Sequence, residues 1–241
     1  MTDEITSSEP RWDAIRTESL SSSIVRQIKD ALFAGKLSPG DFLGSEIAFG
    51  QQFGVSRMAA RDALRSLSAE GIVEIRMGPK GGAWVAAGNP DRLVDALAIQ
   101  LRLIGVSPAE LLDAQSVLSV VAAELAATCA TEEDILRLRV AARAAEDAGD
   151  SPDAFTTASL RFHEALISAS KNRVLMAQLR ALEVVLRPLL VSNTDARVAR
   201  RVVKSNAALL QAISTGDAET SGKIMRERIA GIRSKILGVT A

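Results

Sequence analysis

Two arginines four residues apart, Arg57 and Arg61, follow Ser56 at the start of a helical pattern. Residues at that spacing share one helix face. A guanidinium makes the paired hydrogen bonds that suit a guanine edge or a phosphate. Ser56 can cap the helix or give its hydroxyl to a phosphate, and Arg65 extends the line by a further turn. Taken alone, a serine and an arginine at a helix start are a cap and a solvated charge. Other reactive groups are sparse: one histidine, His163, one cysteine, Cys129, and no tyrosine. His163 and Cys129 lie on different helical segments and form no recognisable nucleophile–base pair. The glycines from Gly78 to Gly82 lack the Gly-Lys-Ser/Thr ending and the following helix of a phosphate cradle. No enzyme is expected.

Composition agrees with a folded, reduced, soluble protein. Of 241 residues, 47% are hydrophobic and 24% charged, so a sizeable core is expected. Lys+Arg and Asp+Glu both number 29. A zero balance excludes a uniformly basic coat but not a local basic face. One cysteine builds neither an intrachain disulfide nor a thiolate metal cage. The N-terminus is polar and acidic, unlike a signal peptide. The apolar stretch from Ala114 to Ala130 is broken by serines and Glu124, short of a membrane span. A cytoplasmic location and no membrane partner are the expectation.

The arginines need elements to position them. Residues 1–19 read as a flexible tail. From Ser21 to Ser23, candidate caps, Ile24, Val25, Ile28, Leu32 and Phe33 recur at helical spacing until Gly35. A turn follows, then a short helix over about 45–53, the break Gly54-Val55-Ser56, and a helix over about 57–70. Ile72 to Arg76 alternates as a strand, and Ala83 to Ala86 is a second. Helix, tight turn, helix and hairpin make a winged helix-turn-helix. Ala48, Phe53, Val55, Ala63, Leu64 and Leu67 are its expected core. That core leaves the first turn of the third helix free for a DNA major groove. Gly78, Lys80 and Gly81 form the wing tip, where Arg76 and Lys80 add positive charge. Between Arg11 and Ala86 ten basic residues face eight acidic ones, a net charge of +2. Modest non-specific affinity with marked salt dependence follows.

Strand signals vanish beyond Gly88-Asn89-Pro90. Seven helices are predicted, over about 91–104, 107–129, 132–148, 152–169, 172–191, 195–214 and 217–237, with a kink at Pro188. Ser107-Pro108-Ala109-Glu110 is a capping box with proline at its first helical position. The fold class is mainly α. A winged helix-turn-helix with a small β-hairpin occupies 20–87, and an all-α bundle of six to seven helices occupies 88–241.

With these residues placed, the segment over roughly 20–86 resembles the DNA-binding domain of the GntR family of bacterial regulators. The remainder resembles the effector domain of that family's FadR branch, the FCD domain, through Phe162-His163-Glu164-Ala165-Leu166, Ala169-Ser170-Lys171-Asn172, Ala212-Ile213 and Gly216-Asp217. The resemblance implies a homodimer on a palindromic double-stranded DNA operator, acting as a repressor. It also implies a small-molecule effector, a carboxylate or acyl compound. It places Ser56, Arg57 and Arg61 on DNA, with Gly78 at the wing. Ile47 departs from the arginine that relatives often carry there.

Many FadR-branch domains hold a divalent metal through three histidines and an acidic residue. The resemblance maps these onto His163, Asn206, Arg228 and Ser159. Three of the four ligands are absent, and an arginine repels a cation, so no metal and no other cofactor are expected. Gln115 and Ser119 stand where relatives usually carry arginine and glutamate. Ser159, His163, Asn206, Arg228 and Gln115 are therefore the candidate pocket. His163 lies on an apolar face, where a lone histidine is more often a hydrogen-bonded core group than a ligand. Arg228 lies on an apolar stripe and needs a partner. Glu124 or Glu183 can supply it, or Arg228 can anchor an anionic effector in a bidentate fork, with His163 and Asn206 as further donors. The alternative function is a regulator that has kept its fold and lost its effector, binding DNA constitutively or serving as a scaffold.

Overall fold

The structure is a computed structural model that describes residues 19–78, 81–148 and 151–238. The predicted tail, apart from Ser19, lies outside the described residues. The chain divides into two compact units between Asn89 and Pro90.

The first unit opens with α1 (Leu20–Phe33), followed by β1 (Phe42–Gly44), α2 (Glu46–Phe53), α3 (Arg57–Ala69), β2 (Val73–Arg76) and β3 (Gly82–Val85). Ser19 caps α1, accepting from the Ser22 amide at 3.1 Å. The cap therefore lies two residues ahead of the expected Ser21–Ser23, because Leu20 already enters the first turn. Gly54 ends α2 in the left-handed conformation, φ 64°, which a side chain would strain. Ser56 caps α3 through the Ala59 amide. Ile24, Ile28, Phe49, Ala60, Ala63, Leu64, Leu67, Val73 and Ala83 make the core. Phe49 replaces Ala48 among the expected core residues. Ala48 is exposed, since the inward face of α2 falls one residue later. Phe53 and Val55 pack at the edge of this core.

Strand β1 was not expected. Its three residues pair antiparallel with β3, which also pairs with β2, so the sheet order is β1-β3-β2. Phe42 stacks on Trp84 with ring centroids 4.7 Å apart.

The second unit is helical throughout its described residues: α4 (Pro90–Leu103), α5 (Pro108–Cys129), α6 (Glu132–Asp147), α7 (Pro152–Ala169), α8 (Arg173–Asn193), α9 (Ala196–Ser214) and α10 (Ala218–Leu237). Capping sets these boundaries. Ser107 with Glu110, and Thr131 with Asp134, form capping boxes at α5 and α6. Pro188 sits inside α8, which continues to Asn193. Helix α5 is the central element. Leu112, Ala122, Ala123 and Ala126 are fully buried on it, against Phe162, Leu166, Leu179, Leu186, Leu209 and Met225 of α7 to α10. α5 is long and apolar enough to cross a membrane by length and composition, but half of its apolar window is packed inside the unit. Lys171, at φ 57°, closes α7 and reaches the carboxylate of Asp134.

Candidate functional site

The first site is the outward face of α3. Ser56, Arg57, Arg61 and Arg65 are all exposed in its first turns. The Ser56 hydroxyl is occupied as an acceptor by the cap, and its proton stays free for a phosphate oxygen. Both leading arginines are held by one carboxylate. Glu46 of α2 accepts from Arg57 Nε at 2.7 Å, and from Arg61 Nε and Nη2 at 3.0 and 2.9 Å. Hydrogen bonds from Arg61 and then Arg57 bring the Glu46 carboxyl down to about 2, so it stays charged. Sequence spacing did not reveal this clamp, which joins two helices across the turn.

Arg61 and Arg65 line a groove with the wing, shared with Arg76, Met77 and Gly78. Arg76 lies over the Trp84 ring, 4.8 Å from its centroid, and pairs with Glu74 at 3.1 Å. Gly78 adopts φ 101° at the tip. A Cβ on Gly81 would sit 2.5 Å from the Arg76 carbonyl oxygen, so the turn admits only glycine there. Lys80, the other expected wing contact, lies outside the described residues. Met58 was not singled out in the sequence, yet it is 73% exposed beside Arg57.

The second site is a small cavity of about 50 Å³ among α5, α7, α8, α9 and α10. Gln115, Ser159, His163 and Arg228 all line it, with an apolar remainder that includes Phe155, Leu160, Val202 and Ile232. Asn206 joins them through Arg228, whose Nη1 donates to Asn206 Oδ1 at 2.6 Å and whose Nη2 donates to Ser159 Oγ at 3.0 Å. Four helices thus bring together all five residues expected of a pocket.

No carboxylate is bonded to the Arg228 guanidinium, although the charge of Glu183 acts on it. Glu183 is taken by His163, whose Nδ1 donates to its Oε1. No ion pair joins Arg228 to Glu124, and no described carboxylate lies within the 4.0 Å of an ion pair. Both structural partners expected of Arg228 are therefore corrected. Burial pulls the guanidinium down to about 10, with the charge of Glu183 acting the other way. It stays protonated at neutral pH. The neighbouring polar atoms are also unsatisfied. Gln115 Oε1 and His163 Nε2 in the wall, and Asn206 Nδ2 beside Arg228, are buried without a hydrogen-bond partner. Buried polar atoms are nearly always paired, so a group of orphans signals a ligand or water place.

These groups fit a metal poorly. The position offers one imidazole, two neutral oxygens and a guanidinium already bonded to both of them. Among the described residues no three His, Cys, Asp or Glu side chains are placed to share an ion.

A winged helix-turn-helix with an exposed arginine face, followed by a helical bundle around a cavity with a few polar groups, has the architecture of a DNA-binding protein with a second helical domain. Comparison places it further. Residues 20–82 match the bacterial regulatory proteins of the gntR family, and residues 110–231 match the FCD domain. The chain belongs to the GntR family and carries an FCD effector domain. RmpR of Mycobacterium gastri, named as an HTH-type transcriptional regulator, is 30% identical over 86% of this chain and 76% of its own. The transcriptional regulator LutR of Bacillus subtilis is 33% identical over 58% of this chain and 64% of its own. The Uxu operon transcriptional regulator of Escherichia coli is 30% identical over 64% and 59%. The matched segment thus spans less than two thirds of the last two proteins. The solved Streptococcus agalactiae GntR shares the fold, with TM-score 0.59 and 18% identity over 88% of this chain and 98% of that one. The protein is a DNA-binding transcriptional regulator and not an enzyme. Its helix-turn-helix implies DNA as a partner, and its FCD domain implies a small-molecule effector.

Proposed function

We propose that the protein is a cytoplasmic, effector-responsive repressor that binds a palindromic operator as a homodimer. Its effector is a small anion, a carboxylate or acyl compound, held by Arg228 without a metal or other cofactor. The observation that carries the effector reading is Arg228 itself, a charge in a cavity wall whose hydrogen bonds go only to the neutral Asn206 and Ser159. A guanidinium binds a carboxylate through paired hydrogen bonds, and Asn206 Nδ2 is an unused donor beside it. Gln115 and His163 line the same cavity and fix the rest of the ligand. On the DNA side, Ser56, Arg57, Arg61, Arg65 and the wing at Gly78 supply the contacts.

The two sites communicate by linkage. An effector that binds the DNA-free form more tightly weakens operator binding by the same free energy, typically ~1–3 kcal/mol. Release of the operator by effector defines the repressor. The orphaned atoms speak against a pocket that has lost its ligand, since they have no other role in the core.

Native mass spectrometry of freshly purified protein, with elemental analysis of the same sample, tests this reading. A dimer without stoichiometric metal, carrying a small anion that Arg228→Ala fails to retain, is the expected result. One tightly held divalent metal per subunit would refute the metal-free pocket. A monomer at operator-binding concentrations would refute the dimer.

A further inference from the structure

The helical geometry of α3 ranks its exposed residues by how directly they face away from the core. At about 100° per residue, and taking Arg57 as zero, the buried Ala60, Ala63, Leu64 and Leu67 centre near about 290°. The direct outward direction is therefore about 110°. Met58 lies at about 100°, Arg65 at about 80°, Asp62 at about 140°, Arg61 at about 40° and Arg57 at about zero by the same rotation. The side chain aimed most directly out of the domain, in the first turn of the helix, is thus a methionine. It is 73% exposed. Arg57 and Arg61 lie to one side, where Glu46 holds their guanidinium groups.

An exposed methionine in the middle of a charged face buries nothing within its own domain. In a major groove the feature that rewards an apolar group is the 5-methyl of thymine. The thioether chain is flexible enough to reach it without backbone movement. The arginines beside Met58 supply the complementary charge that brings the phosphates close. We infer that Met58 reads the methyl group of a thymine in each half of the operator, a specificity contact separate from those of the arginines. It rests on the reading of α3 as the operator-reading helix. Asp62, four residues on and on the same outward stripe, tolerates a cytosine amino group nearby and repels a phosphate.

The test uses the full-length protein. Operators are selected from random duplex DNA, and binding is followed by fluorescence anisotropy. Each thymine is then replaced in turn by deoxyuridine, which removes only the methyl. Wild type should lose about fourfold in affinity when the contacted thymine of one half-site is replaced, as expected for one buried methyl-sized group. Replacement in both halves should multiply the loss. Met58→Ala, which removes the contact from both halves of the dimer, should bind the thymine operator about sixteenfold more weakly and lose no more on replacement. Its melting temperature should match wild type, because the residue is exposed.

Wild type that is indifferent to deoxyuridine at every position would overturn the inference. So would a Met58→Ala variant that keeps full sensitivity, or selected half-sites without thymine. In those three cases Arg61→Ala still weakens the operator, and the operator reading survives. If no sequence is enriched at all, the operator reading falls and this inference with it.

Discussion

Replacing Arg228 by methionine separates an anchor for a ligand from a structural ion pair. Burial and Glu183 together leave the guanidinium at about 10 rather than 12.5. At about 1.4 kcal/mol per unit, the cavity wall disfavours the charged form by roughly 3 kcal/mol. Against this stand the two hydrogen bonds to Asn206 and Ser159. Bonds to a charged group contribute ~1.5–3 kcal/mol each. The two sides nearly cancel at the low end of that range. Methionine fills similar space, carries no charge and leaves two polar atoms beside an open cavity. Effector-free Arg228→Met should therefore unfold within about 1 kcal/mol of wild type in urea. Removing one member of a paired buried salt bridge instead costs ~3–5 kcal/mol. The assay is equilibrium urea unfolding of ligand-stripped protein, with anion retention measured by native mass spectrometry. A loss above about 3 kcal/mol would show that Arg228 holds the fold together. Unchanged stability together with unchanged anion retention would refute its role as anchor.

Other outcomes follow from the same geometry. Arg61→Ala should weaken operator binding by ~1–3 kcal/mol, read as a shift in anisotropy titrations; wild-type affinity would mean that α3 does not read the operator. Glu46→Gln removes a negative charge from the DNA face and frees both arginines, so affinity for non-specific DNA should rise and the ratio of specific to non-specific binding should fall, measured across a salt series. Gly81→Ala places a Cβ against the Arg76 carbonyl and should distort the wing, weakening operator binding while the melting of the helical unit stays unchanged. For Asp134, burial opposes the charge, but the hydrogen bonds from Lys171 and Thr131 outweigh it and bring the carboxyl from 3.8 down to about 2. A folded value below the unfolded one means stability that is complete above about pH 5 and lost as pH falls from about 4 towards 2, roughly 2 kcal/mol in all; Lys171→Met should shrink that acid-dependent loss in pH-dependent unfolding.

Helix ends were legible because their signals are local. Ser107 with Glu110 and Thr131 with Asp134 bond within three residues, and the sequence carries both members of each box. β1 was not legible. Phe42-Leu43-Gly44 is too short to show alternation, and its partner β3 lies about forty residues further on. The candidate pocket was placed by resemblance, and the structure gathers all five of its residues. Its electrostatics were not legible. Whether Glu183 would pair with Arg228 or with His163 depends on how α7, α8 and α10 pack, and helical spacing does not encode that. The Glu46 clamp joins positions eleven and fifteen residues apart. It depends on the tight turn at Gly54, so the motif was readable while the contact was not.

Both sites break rules that most of the chain obeys. Elsewhere most large apolar side chains are buried and most buried polar groups are bonded, though Phe33 and Met77 are exposed and Trp84 Nε1 and Ser205 Oγ lack partners. On α3 a methionine faces solvent directly, and a carboxylate holds two arginines on a surface suited to phosphates. At the cavity a half-buried guanidinium has no carboxylate bonded to it, and Gln115 Oε1, His163 Nε2 and the adjoining Asn206 Nδ2 lack partners. Departures of this kind cluster where a sequence serves a partner rather than its own fold. The deficits are also complementary to what would relieve them. A thymine methyl satisfies the methionine, phosphates displace Glu46 from the arginines, and one small anion satisfies Arg228 and Asn206 together. A guanidinium bonded only to neutral groups, beside an unused amide donor in a cavity wall, is the strongest reason to expect that an anion completes this pocket.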